Sequence, residues 1–462
     1  MLLHTTFDRF VQDSPVAVMV RGLLEQVLDP SAVDALFDQH AQKQYTRELL
    51  FSDVVDVMGE VVCGSRRSVN AGYRAHQKRL GVSRTAFYQK LNGVEPAVSA
   101  ALTRQTAANL AAVIDQLGGA LPDLLPGYRV KILDGNCLAK TEHRLRELRT
   151  VAAGPLPGKS LVVLDPALTL VIDVFPCEDG HTQERALLDQ VLPTVEPNDL
   201  WIEDRNFCTL KFLFGVAARQ ACFVVRQHQN LPWEAVTELE YAGECDSGEV
   251  WEQKVRLQHP DTGDELLVRR VELRLRTATR DGDVVIQLLT NLPARAASAR
   301  VVAQLYRERW TIEGAFQILE ATLESEQPRL GYPPAALFAF CVALVAYNVL
   351  AVVRAALGAV HGRTVVEENI STYYLAAEIK GVYQGMMIAI PPAEWEAWRQ
   401  MTVAQMAMQL KALARAANLS AYQRSPRGPK KPRPERIHCK SKPHVSTARL
   451  IANRRNKKKR SP

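Results

Sequence analysis

Leu121-Pro122-Asp123-Leu124-Leu125-Pro126-Gly127-Tyr128-Arg129-Val130-Lys131-Ile132-Leu133-Asp134-Gly135-Asn136 is the stretch in which the chain changes its period. Its two prolines and Gly127 break what comes before. Val130, Ile132 and Leu133 then open a strand that runs into Asp134-Gly135-Asn136. Downstream, Leu161 to Leu164 and Leu168 to Phe175 are apolar runs joined by Asp165-Pro166-Ala167, the pattern of a hairpin. Glu184 to Leu192 has the spacing of a short amphipathic helix, and Asp199 to Glu203 is a strand ending at Asp204. Thr209 to Ala218 is helical, and Ala221 to Arg226 is a further strand. Three strands followed by helix, strand, helix and strand predict an α/β core of the RNase H kind, beginning over residues 125–228.

Upstream, residues 1–120 are helical in pattern. Leu49, Leu50, Val54, Val55, Met58, Val61 and Val62 recur at helical spacing. Within 78–94, Lys78 to Leu91 combines a helix end, a tight turn at Gly81, an N-cap at Ser83 and a second helix. That is a helix-turn-helix pattern, with Arg84, Gln89 and Lys90 as candidates for DNA contact. An ordinary helical corner has the same pattern. Downstream, residues 229–294 are rich in strands with Asp-Thr-Gly and Asp-Gly-Asp turns, which predicts a β insertion. Helices over 295–360 complete the core. A C-terminal helical region covers 361–423, and 424–462 is a basic tail expected to be disordered.

Size and charge narrow the class. The chain of 462 residues is too long for one compact core. Its eight cysteines are scattered, with no Cys-x-x-Cys pair, which argues against a zinc site and fits reduced thiols in a cytoplasm. Met1 to Gln12 lacks a basic segment followed by a long apolar run, so no signal peptide is expected. Ala335 to Val353 is long and apolar enough for a membrane span, but a buried core helix is the favoured reading. The net charge is +7, yet Arg424 to Arg460 alone carries 15 Lys or Arg against one acid, Glu435. The rest is therefore mildly acidic, at −7. A basic tail on such a body suggests contact with a polyanion.

The candidate chemistry lies in carboxylates. Asp134 and Asp204 each close a strand, and the strand ends of such a sheet form a site edge. Asp134-Gly135 would also make a good turn, and Asp204-Arg205 a loop ion pair. Asp165, before Pro166, suits a structural role in the hairpin. Asp173, inside a strand, is a weaker rival as a ligand. A third carboxylate comes from Tyr306-Arg307-Glu308-Arg309-Trp310-Thr311-Ile312-Glu313. Helices are expected from Ala296 to Leu323, and at helical spacing Tyr306, Arg309 and Glu313 share a stripe beside the apolar one of Leu305, Ile312, Phe316, Leu319 and Leu323. A surface i,i+4 pair between Arg309 and Glu313 would explain that stripe as well.

Tyr306-x-x-Arg309-x-x-x-Glu313, following Asp134-Gly135 and Asp204-Arg205-Asn206-Phe207, resembles the bacterial insertion-sequence-four family of DDE transposases over residues 125–360. The family signature continues with a Lys seven residues after the Glu, where this chain has Glu320. The resemblance implies that Asp134, Asp204 and Glu313 are the catalytic residues and hold two Mg²⁺ or Mn²⁺ ions. It implies that Tyr306 and Arg309 hold the DNA end. It further implies binding of terminal inverted repeats, excision through a hairpin, and joining of the ends to target DNA by a homodimer in a bacterial, nucleoid-associated, cytoplasmic setting, with no membrane partner. Glu320 would repel phosphate, so Arg307 or Lys211 would have to substitute, or the copy is impaired and only binds DNA. An RNase H-fold nuclease is the other alternative. Trp233 and Trp251 in the β insertion are expected to pack in its core rather than to stack on a flipped base.

Overall fold

The computed structural model describes residues 5–46, 48–138, 155–279, 282–327, 329–425 and 445–460. Seven helices come first: α1 (Thr5–Asp13), α2 (Pro15–Val27), α3 (Pro30–His40), α4 (Phe51–Val62), α5 (Val69–Leu80), α6 (Arg84–Leu91) and α7 (Pro96–Leu117). The central sheet follows, with β1 (Arg129–Leu138), β2 (Gly158–Asp165), β3 (Leu170–Cys177), β4 (Asp199–Glu203) and β5 (Cys222–Arg226). Between them lie α8 (Leu188–Val191) and α9 (Leu210–Ala218). The sheet continues through β6 (Glu234–Ala235), β7 (Glu240–Cys245), β8 (Gly248–Gln258), β9 (Glu265–Leu275) and β10 (Val285–Thr290). The chain then returns to helices: α10 (Ala299–Arg307), α11 (Trp310–Ala321), α12 (Pro333–His361), α13 (Arg363–Asn369), α14 (Thr372–Ala389), α15 (Pro392–Arg399), α16 (Val403–Ala416) and α17 (Thr447–Arg460).

Strand order is β3-β2-β1-β4-β5-β10-β9-β8-β6, with β7 also on β8. The β1–β2 and β2–β3 pairs are antiparallel, whereas β1–β4 and β4–β5 are parallel. This mixed sheet, covered by helices, fits an RNase H-like fold. The predicted β insertion is not a separate body. Val285–Thr290 pairs antiparallel with β5, so the inserted strands prolong the core sheet to ten strands. The apolar Val224-Val225 edge of β5 would otherwise carry unpaired backbone groups, and β10 satisfies them.

Period-two alternation sends neighbouring residues to opposite faces. Ile132, Val162, Ile202 and Val224 join the cluster that contains α7 and α12. Leu133, Leu161, Val163, Trp201, Phe223 and Val225 join the other cluster, with Leu188 of α8 and Phe212 and Leu213 of α9. Helix α12 packs against α7, α4, α16 and β3, and its apolar window lies wholly inside the protein. Among the described residues it is the one helix long and apolar enough to cross a membrane, and it forms the centre of the core. Asn348, within α12, is fully buried and bonds both Val171 N–H and Val171 C=O at 2.8 Å.

The helix-turn-helix pattern folds as its residues predict. Gly81 adopts a left-handed φ of 66°, which a residue without Cβ takes at no cost, and Ser83 caps α6 by accepting from Ala86 N–H. The predicted helix over 184–192 is instead a 3₁₀ turn (Glu184–Leu187), the single α turn of α8 and a second 3₁₀ turn. Pro193 has no N–H to continue an α ladder.

The tail departs from expectation. Residues 426–444, most of the segment expected to be disordered, lie outside the described residues. Beyond them, Val445–Ser446 pairs in parallel with Pro155–Leu156, and Arg449 bonds Asp179 at 2.5 Å. The last stretch is helix α17, so it is neither unstructured nor detached from the core. Thr-Ala-Arg-Leu-Ile-Ala followed by Asn, Lys and Arg contains no Gly or Pro to oppose a helix.

Candidate active site

Leu133 and Glu203 are register partners in the parallel β1–β4 pair. The next residues, Asp134 and Asp204, therefore stand side by side where the two strands diverge. Asp134 does not close its strand, as the sequence suggested. β1 runs on to Leu138 by pairing with β2 alone. Alternation aims Asp134 to the same face as Ile132, and Asp204 to the same face as Ile202. That face is covered by α10, α11 and α12, with α11 touching β1 and α10 touching β4 and β5. Glu203, one residue earlier, points the other way. It is fully buried, both carboxylate oxygens lack hydrogen bonds among the described residues, and burial pushes its pKa well up.

The helix expected to carry Tyr306, Arg309 and Glu313 on one stripe is broken into two helices. α10 stops at Arg307, and α11 starts at Trp310. At the joint, Thr311 N–H bonds Glu308 C=O and Ile312 N–H bonds Arg309 C=O, the tighter i→i−3 pattern. Tyr306 and Glu313 thus belong to different helices, with Arg309 in the corner. The corner lets each side chain reach a different carboxylate. Tyr306 Oη donates to Asp204 Oδ1 at 3.3 Å. Arg309 Nη1 donates to Asp134 Oδ2 at 3.1 Å, and its Nη2 to Glu313 Oε1 at 3.2 Å. Arg309 is buried, whereas the Glu313 side chain is 37% exposed. Burial, reinforced by the Asp204 charge, raises the Tyr306 pKa, so its hydroxyl stays a donor.

Two further groups complete the site. Glu184, overlooked in the sequence, packs on Gly135: a Cβ added there would lie 2.4 Å from Glu184 Oε1. Asn206 Nδ2 holds the other oxygen of Glu184 at 2.5 Å. The available signal was a glycine directly after a strand carboxylate, which marks a close approach. Trp310 is 57% exposed and lies 4.9 Å from the Arg309 guanidinium, leaving an aromatic face at the mouth of the site.

The rival carboxylates are structural. Asp165 accepts from Ala167 and Leu168 N–H in the hairpin turn and pairs with Arg129. Asp173 pairs with Arg104 and lies away from the site. Asp173 is buried and hydrogen-bonded by Arg104, so Asp173→Asn is expected to cost about 1–3 kcal/mol, as measured by urea unfolding.

Burial lifts the Asp134 carboxyl from 3.8 to about 6, against the opposing pull of Arg309 and the Gly135 N–H. Between those values the folded chain binds more protons than the unfolded chain. Stability of the metal-free protein should therefore fall as pH rises from about 4 to about 6, by up to ~3 kcal/mol. Asp134→Asn should flatten that slope in urea titrations at pH 4.5 and 7, and an unchanged slope would rule Asp134 out as its source.

The donor chemistry suits a hard divalent cation, since all the groups are carboxylate oxygens. The spacing does not. Among the described residues no three carboxylate, His or Cys groups stand close enough to share an ion. The expected ligand set of Asp134, Asp204 and Glu313 is gathered around a guanidinium instead, because Arg309 already supplies the positive charge between two of them.

The other candidates are spread over the surface. Arg84 and Gln89 are exposed on α6, and Arg84 lines a cleft of about 430 Å³ with Asn70, Tyr88 and Arg329. Lys90 turns inward, with its ammonium 3.8 Å from the Phe37 ring centre, so it is not presented with the other two. Arg307 pairs with Asp246 and Lys211 with Asp189, so both candidates to replace the family lysine face carboxylates of their own. Glu320 is exposed on α11. Neither Trp233 nor Trp251 is a core residue. Each lies against an arginine at the sheet surface, Arg270 at 4.9 Å and Arg274 at 4.3 Å, where a guanidinium can cover an indole face.

Residues 159–349 match the family model described as transposase DDE domain. The match covers Asp204, Tyr306, Arg309 and Glu313, and begins after Asp134. It supports a DDE transposase. No curated protein matches the chain. Among solved structures, the chain is similar to a piggyBac transposase synaptic complex with hairpin DNA, at 9% identity and a TM-score of 0.40 over 85% of this chain and 84% of that chain.

Proposed function

We propose that this chain is a transposase of the insertion-sequence-four kind, which binds the terminal inverted repeats of its element, cuts there by phosphoryl transfer, and joins the ends to target DNA. The observation that supports the reading is that Asp134 within β1, Asp204 just after β4 and Glu313 on α11 each bond to Tyr306 or Arg309 of the α10–α11 corner. Transposase DDE domains generally use divalent metal ions. The two Mg²⁺ or Mn²⁺ ions implied by the resemblance belong to this reading, although the carboxylates as placed do not hold them.

The chain's own residues supply positioning and charge, which phosphoryl transfer needs more than covalent chemistry. Arg309 offers two parallel N–H donors that match two phosphate oxygens. Tyr306 can donate to a third. Trp310 offers an exposed ring for a base at the cut. A water or 3′-hydroxyl oxygen forms the new P–O bond, and the opposite oxygen leaves in line with its electron pair. α6, with Arg84 and Gln89, and the basic tail extend the contact along the duplex. Two copies pair the two element ends in the bacterial cytoplasm.

The test is cleavage of a linear duplex carrying the element's own terminal repeats, with Mg²⁺ or Mn²⁺. A nick at the repeat end, a hairpin intermediate, and joining of a pre-cut 3′ end to a second DNA are expected. Cutting without joining would favour an RNase H-fold nuclease. Binding without cutting, corrected by Glu320→Lys, would identify an impaired copy. Binding without cutting in both proteins would leave only a DNA-binding protein.

A further inference from the structure

The carboxylates of this site already have a cation, and it belongs to the chain. Arg309 spans 3.1 Å to Asp134 and 3.2 Å to Glu313, two residues on separate elements, and its Nε is buried without a hydrogen-bond partner among the described residues. Tyr306 engages Asp204 in the same corner. Every carboxylate that would hold a metal ion is therefore occupied by a side chain of the α10–α11 joint. We propose that Arg309 is a positioning residue that keeps the site closed to divalent metal until a DNA phosphate draws its guanidinium away. This rests on the phosphoryl-transfer reading of the site.

A guanidinium and a divalent ion cannot both occupy the space between Asp134 and Glu313. A phosphate offers the fork two coplanar oxygens, the same geometry that a carboxylate offers. Once the fork moves to a phosphate, Asp134 and Glu313 lose their compensation beside Asp204. A partly buried group of like charges then favours an arriving cation. The route outward is open, because Glu313 is partly exposed and an added Cβ at Gly314 would meet nothing within 4 Å. DNA and metal thus bind with positive linkage, and the linkage must be reciprocal.

The experiment is equilibrium binding of Mn²⁺ to the full chain, read from the spin-resonance signal of free Mn²⁺, without any cleavage step. The wild-type chain alone is expected to bind weakly. Arg309→Gln should bind about tenfold tighter, a change of ~1.4 kcal/mol. The further change Asp134→Asn in that variant should abolish the gain, placing the ion at this site. A duplex without element ends should tighten Mn²⁺ binding to the wild type severalfold, after correction for ions held by the duplex alone, and should not do so for Arg309→Gln. Equal affinity in wild type and Arg309→Gln overturns the proposal. If circular dichroism shows that Arg309→Gln has not folded, the duplex arm on the wild type decides, and no tightening there overturns it. A chain that never cuts DNA yet shows these affinities would sink the transposase reading and leave the competition standing. A chain that cuts its element ends but shows no competition would do the reverse.

Discussion

On the transposase reading, Glu313→Gln is expected to lower DNA cleavage by at least ~10³-fold and to leave both the fold and DNA binding in place. The magnitude follows from the reaction class, since removing one preorganised charge from a phosphoryl-transfer site costs on the order of 10²–10⁵ in rate. The amide keeps the length and one acceptor oxygen of the carboxylate but not its charge. Stability changes little. Glu313 is partly exposed, and it pairs with Arg309, a partly solvated pair worth below about 1 kcal/mol. The measurement pairs single-turnover cleavage of an end-bearing duplex with a melting curve and a binding titration. Activity within tenfold of wild type, at unchanged melting temperature, would remove Glu313 from the site.

The second large effect concerns the core. Asn348→Ala is expected to destabilise the protein by about 2–5 kcal/mol. Its side-chain amide is the partner of both Val171 N–H and Val171 C=O, so truncation strands two buried backbone groups. It also leaves a small cavity at the α12–β3 contact. The site is particular to this fold. β3 is the edge strand of the sheet, and Asn348 bonds the backbone N–H and C=O of Val171 on it. A fall in urea midpoint with unchanged chemistry at the site is the expected result. A midpoint within error of wild type would mean that Val171 finds other partners.

These two residues mark the boundary between what the sequence determined and what only the folded chain decided. Strand alternation is a local property. It marked Asp134 and Asp204 as carboxylates that follow the apolar strand residues Val130 to Leu133 and Asp199 to Glu203, whereas the parallel β1–β4 pairing set them side by side. Gly81 and Ser83 determined the helix-turn-helix joint for the same reason, since a left-handed turn and an N-cap are chosen within a few residues. The run from Ala335 to Val353 declared a buried helix through its apolar composition, with its one amide, Asn348, as the exception. The spacing Tyr306, Arg309, Glu313 pointed to one site, although the helix bearing it breaks at Glu308 and Arg309. None of this local information says which groups come to share a space. Arg309 meets Asp134 across 175 residues of chain. Glu184 reaches Gly135 only because the turns around α8 bring it back over β1. Lys90 turns inward because Phe37 of α3 lies beneath it. The inserted strands join the core sheet because the edge of β5 was open to pair, and the tail returns to the core through Pro155–Leu156 and Asp179. Periodicity is set by neighbours in sequence, whereas charge pairing and edge pairing are set by neighbours in space. Asp134, Asp204, Tyr306, Arg309 and Glu313 were named from the sequence, Glu184 and Trp310 were not, and the contacts of Arg309 with Asp134 and Glu313 were decided by the tertiary structure.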